Sequence, residues 1–152
     1  MAKIRNIILI AILLVIAITA CSKSPEAARK ELGYMNIPYT NDSFIRHVKS
    51  GDKVVVELFL IAGMSPNLRE EDWPVLTIAA SKGHGEIVKL LIAKGADVDA
   101  KDKDDITALM MSLVRKYPDI AKTLIKKGAN VNAAITTGKG NGRTALILAA
   151  QH

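Results

Sequence analysis

The chain is poor in the residues that most chemistry needs. Its 152 positions hold one cysteine, three histidines, five prolines and only 4% aromatic side chains. A single thiol, Cys21, excludes any intramolecular disulfide. His47, His84 and His152 form no close pair with one another or with the cysteine, so no metal-ligand spacing is present. So few aromatics argue against a base-stacking surface for nucleic acid. The glycine-rich stretch 138–143 fits neither the phosphate-loop nor the dinucleotide pattern. The sequence brings together no nucleophile, base and orienting group. These absences predict a protein that is not an enzyme and needs no cofactor, metal, nucleic acid or small-molecule substrate. A long apolar run is also missing. Ile7 to Ala20, 14 residues, would rise about 21 Å as a helix against a hydrocarbon core of roughly 30 Å.

That short run is informative in its context. Lys3 and Arg5 precede it, and small residues followed by Cys21 end it. A basic start, a short apolar middle and a small-residue end describe a secretory signal peptide. Ile18-Thr19-Ala20-Cys21 resembles the lipobox of bacterial lipoproteins. The resemblance implies cleavage after Ala20 and a lipid-modified Cys21 as the first mature residue. It also implies a membrane anchor in the bacterial cell envelope, facing the periplasm or exterior. Ser22, rather than an acidic residue, points to the outer membrane where the enteric sorting rule applies. The alternative is an uncleaved signal anchor with an incidental cysteine. Removing Lys3 and Arg5 from the net +6 leaves +4 on the mature part, spread along the chain and read as solubility.

The rest of the sequence repeats itself. LFLIAGMSPN (58–67), LLIAKGADVD (90–99) and TLIKKGANVN (123–132) end alike, with Gly63, Gly95 and Gly128 spaced by 32 and 33 residues. Ile87, Val88, Leu90 and Leu91 form one helical stripe, while Glu86, Lys89 and Lys94 take the wet side. Each unit reads as a short helix, a tight turn, a longer helix, a glycine stop and an extended loop. Small Ala79 and Ala80 let the short helix approach its neighbours.

These segments resemble the ankyrin repeat, most fully in AASKGHGEIVKLLIAKGADVDAKD of the central unit. The implied fold is an all-α ankyrin-repeat solenoid of helix-turn-helix units joined by hairpin loops, preceded by a signal helix. The expected organisation is a signal peptide at 1–20 and a lipidated tether with a capping helix at 21–40. A degenerate cap repeat follows at 41–69, then repeats at 70–102 and 103–135 and an incomplete one at 136–152. Ser24-Pro25-Glu26 opens the capping helix; a plain linker is the alternative there. The last unit leaves an apolar edge, to be covered by a longer reading frame, a partner or a second copy. The family's Thr-Pro-Leu-His motif is eroded to Pro74-Val75-Leu76-Thr77 in the central unit and keeps its Thr at Thr107 and Thr144, which predicts a correct fold of modest stability.

The resemblance implies a binding surface for a protein partner of unknown identity, with hairpin tips as fingers and inner helices as palm. Mapped onto this chain, the candidate contact residues are Trp73, Arg69, Lys101, Asp102, Lys103, Asp104, Met110, Arg115, Lys139 and Arg143. Thr77, Ser81, Lys82, Ser112 and Lys116 complete the expected palm. His84, in the turn between helices, is expected to bond backbone. A second reading, from another class, is an accessory or immunity-type protein that covers or supports a specific enzyme or toxin.

Overall fold

Short helices, paired and stacked, make up most of the described chain. A computed structural model describes residues 23–136 and 142–150; the segment 1–20 and Cys21 lie outside the described residues, as does Lys139. In chain order the elements are α1 (Pro25–Tyr34), α2 (Asn41–Ser50), α3 (Lys53–Ile61), β1 (Arg69–Glu70), β2 (Trp73–Pro74), α4 (Val75–Ser81), α5 (Gly85–Ala93), α6 (Ala108–Val114), α7 (Pro118–Lys126) and α8 (Ala145–Ala150). No described helix is long and apolar enough to cross a membrane.

Several helix starts are set by side-chain caps. Ser24, Thr40, Asp52 and Thr107 each accept a hydrogen bond from the backbone N–H three residues on, at 3.2–3.3 Å. Pro74, where the eroded motif has lost its threonine, gives α4 no side-chain cap. Three residues later, Thr77 is wholly buried and its hydroxyl has no partner. The central repeat thus carries two local deficits that its packing has to cover.

Two layers result. The inner layer stacks α2, α4, α6 and α8 in sequence, and the outer layer stacks α3, α5 and α7. Their apolar stripes close on one continuous core that includes Phe44, Phe59, Leu76, Ile87, Leu91, Leu109 and Leu124. α1 lies on α3 and buries Ala28 and Leu32. The strap after it brings Tyr39 onto Phe59, stacked at 5.6 Å. The Tyr39 hydroxyl and the Arg29 side chain both donate to the carbonyl of Ala62, the C-cap of α3. A guanidinium there meets the negative end of a helix. Residues 25–39 thus cover the end of the first repeat as a helix and a strap.

The loops are tied to each other by a polar ladder. Asn67 accepts from the Asp97 N–H at 2.8 Å, and Asp99 accepts from the Asn130 N–H at 2.8 Å. Within each loop the side chains of Ser65, Asp97 and Asn130 accept from the backbone two residues on. One position thus shapes its own loop and the next grips the following repeat. Nearer the tips, Asp105 accepts from both the N–H and the hydroxyl of Thr136. Those bonds, with Lys101 beside it, hold the Asp105 carboxyl below its ordinary value.

The turns between helices form a second column. Gly51 and Gly83 take φ of +82° and +80°. The His84 ring lies over Gly51, and its Nε2 is 3.0 Å from the Lys49 carbonyl oxygen. The Tyr117 ring lies over Gly83 in the same way. The third member of the series, Lys116, holds φ +61° with a side chain. A left-handed residue with a Cβ costs about 1–2 kcal/mol.

Three outcomes follow. A Cβ at Gly83 would come within 2.7 Å of the Tyr117 ring, so Gly83→Ala is expected to cost at least about 1–2 kcal/mol in urea unfolding. Lys116→Gly is expected to gain about 1 kcal/mol by releasing the strain. The depressed Asp105 contributes stability that is present above the ordinary carboxylate value and lost as pH falls through its lower folded value. Melting temperature below about pH 4 should therefore fall less steeply in Asp105→Asn than in the native chain.

Candidate binding face

The first hairpin is set by Arg69–Glu70 pairing antiparallel with Trp73–Pro74, Glu70 opposite Trp73. The turn between them needs a left-handed residue, supplied by Glu71 at φ +52°. Trp73 is half-buried and packs against the core cluster. It also lines an open groove of about 350 Å³, shared with Lys49, Glu70, Glu71, Ile78, Ser81 and Lys82. The groove thus joins a finger to the palm across two repeats. Its one internal ion pair is Lys49 with Glu70, at 2.7 Å.

The expected contact residues divide into two sets. Lys103, Asp104, Arg115 and Arg143 are exposed, as is Lys82. Lys101 is exposed but leans on Asp105 at 3.4 Å. Arg69 is exposed too, yet its guanidinium donates to the carbonyls of Asp72 and Lys101 at 2.8 and 2.9 Å. It braces the first finger against the second and is spent on the scaffold. Four expected contacts need correction. Met110 is wholly buried and Met111 nearly so, because α6 sits between α4 and α8 and has little free surface. Ser112 and Thr77 are buried for the same reason. Asp102 is 6% exposed; one carboxylate oxygen accepts from the N–H groups of Asp104 and Ile106, shaping the second finger from within. Lys139 lies outside the described residues.

The base of the third finger is paired. Ala134 bridges Thr144, and Ile135 donates to the Arg143 carbonyl at 2.9 Å. Sequence reasoning passed over Lys49 and Ile78, which the structure brings to the groove. A lysine two residues before Gly51 and an isoleucine on a short apolar helix look like an ordinary surface and an ordinary core position. Among the described residues, no group of three His, Cys, Asp or Glu side chains is arranged to hold a metal.

Comparison with known proteins agrees with this architecture. An ankyrin-repeat protein of Treponema pallidum (strain Nichols) is 36% identical over 128 residues, covering 84% of this chain and 42% of its own length. A glycerophosphocholine phosphodiesterase, gde1, of Schizosaccharomyces pombe is 38% identical over 64 residues, 41% of this chain and 6% of its own. Human M-phase phosphoprotein 8 is 34% identical over 73 residues, 46% of this chain and 8% of its own. The chain therefore spans less than half the length of each of these relatives. Ankyrin repeats in three copies match residues 44–135. Helix-pair units, glycine-ended outer helices and hairpin loops all fall within that match, and the chain belongs to the ankyrin-repeat family.

Proposed function

We propose that this is a lipid-anchored protein of the bacterial cell envelope whose inner face holds a protein partner. Ankyrin arrays are in general protein-binding scaffolds, and the observation that carries the binding half is the groove beside Trp73. A tryptophan kept half-exposed at a finger, next to a shallow depression, is the kind of side chain that dominates interface energies. The anchoring half rests on the sequence: a basic start, a short apolar run and a lone cysteine at a lipobox end. Only Ser22, Lys23 and Ser24 separate that cysteine from α1. Three extended residues reach about 10 Å, so a lipid on Cys21 would hold the repeats close to the bilayer surface. The acyl chains of a diacylglycerol joined to that thiol would add about 0.8 kcal/mol of membrane affinity per buried methylene.

The test uses the full chain in a bacterial host. Intact mass should give a species that begins at Cys21 and carries diacylglycerol, absent from Cys21→Ala. A photo-crosslinker at Ser81, in the groove, should capture one protein at the membrane; the same group at Lys122, on the outer layer, should not. Trp73→Ala should cut the Ser81 product by about tenfold, the scale of an interface hot spot, with the melting curve as a folding control. An unlipidated chain would sink the anchor, and equal capture from both positions would sink the inner-face reading.

A further inference from the structure

The inner face carries a charge pattern that selects a class of partner. Successive repeats offset by 32 and 33 residues bring Ser50, Lys82 and Arg115 to equivalent places, and likewise Lys49, Ser81 and Val114. The rings over Gly51 and Gly83 fix that register. The shared groove confirms that Lys49, Ile78, Ser81 and Lys82 open on one side. Arg46 lies one helical turn before Lys49, on the same face. Arg46, Lys82 and Arg115 are exposed and make no ion pair among the described residues. Lys49 is partly neutralised by Glu70. The palm is thus a basic strip, with an apolar patch where Trp73 is half-exposed at the groove and Val114 is 39% exposed further along the palm.

The first finger carries the opposite sign, whereas the second mixes exposed Lys101 and Lys103 with Asp104. Glu70, Glu71 and Asp72 sit at the first hairpin, and Asp104 projects from the second. A uniform polyanion such as nucleic acid would meet these carboxylates as it entered the palm. A polypeptide can place its charges locally and avoid that repulsion. The geometry points to an acidic peptide segment as the occupant of the palm, with its carboxylates over Lys82, Arg115 and Arg46 and one large apolar side chain seated beside Trp73. This rests on the inner-face reading above and names the chemistry of the partner. The Lys49–Glu70 pair would open as an incoming carboxylate competes for the lysine.

The experiment pans a random-peptide phage library against the full-length chain in detergent and measures the enriched peptides by fluorescence anisotropy. The expected peptides are acidic and hold a large apolar residue. Their affinity should fall about tenfold or more in Lys82→Glu with Arg115→Glu, fall with added salt, and fall again in Trp73→Ala. Both charge changes lie at exposed positions, so the fold should be kept, as circular dichroism would verify. Neutral or basic peptides that respond to Trp73→Ala and ignore the charge reversal would overturn the acidic partner and leave the inner-face reading standing. Peptides that ignore every substitution, or no enrichment at all, would remove both. A single-stranded oligonucleotide that binds more tightly than any peptide, and loses that binding on charge reversal, would assign the strip to nucleic acid and overturn the proposal.

Discussion

A pair of helices seven and nine residues long cannot close a core on itself. Everything else in this molecule follows from that insufficiency. α4 and α5 bury Leu76, Ile78, Ile87 and Leu91, but they do so only because repeats stand on both sides. Stability is therefore shared across interfaces between neighbours. The polar ladder from Asn67 to Asp97 and from Asp99 to Asn130 has the same logic: each loop is completed by its neighbour's backbone. So does the lid at the start of the array, where Arg29 and Tyr39 satisfy the terminal carbonyl of α3 and cover Phe59.

The binding face is a by-product of the stacking. Inner helices laid side by side spend their buried sides on one another and leave one narrow strip each. Met110 shows how narrow that strip is, since a seven-residue helix with neighbours on both flanks has little else to offer. What remains exposed is set by the helix ends, where Lys49, Lys82 and Arg115 lie, and by the hairpin that carries Trp73. Those positions stay free for contact because the scaffold needs the others.

Much of this was legible in the residues. Gly63, Gly95 and Gly128 announced the period, and Ser24-Pro25 announced α1. Trp73 stood out as the one large aromatic at a finger. The site was less legible because exposure depends on the neighbouring repeat. Asp102 looks solvated in a run of charges, yet the turn needs an acceptor for two backbone N–H groups and draws the carboxylate in. Arg69 looks free, but the second finger offers it a carbonyl 32 residues away. Lys49 became part of the groove only when the first hairpin brought Glu70 to it.

The column of rings over turns also bears on how such an array can grow. His84 needs a glycine beneath it in the preceding unit, and Tyr117 needs another. Lys116 carries a side chain at the same place. A copy of the segment from Asp52 to His84, spliced in after Lys116, would set a histidine ring against a lysine side chain where the native order sets it against bare backbone. The units are therefore not interchangeable bricks. Each holds a socket shaped for one successor, so the array has a direction and an order, and lengthening it by duplication would call for a substitution at position 116 as well as the added sequence.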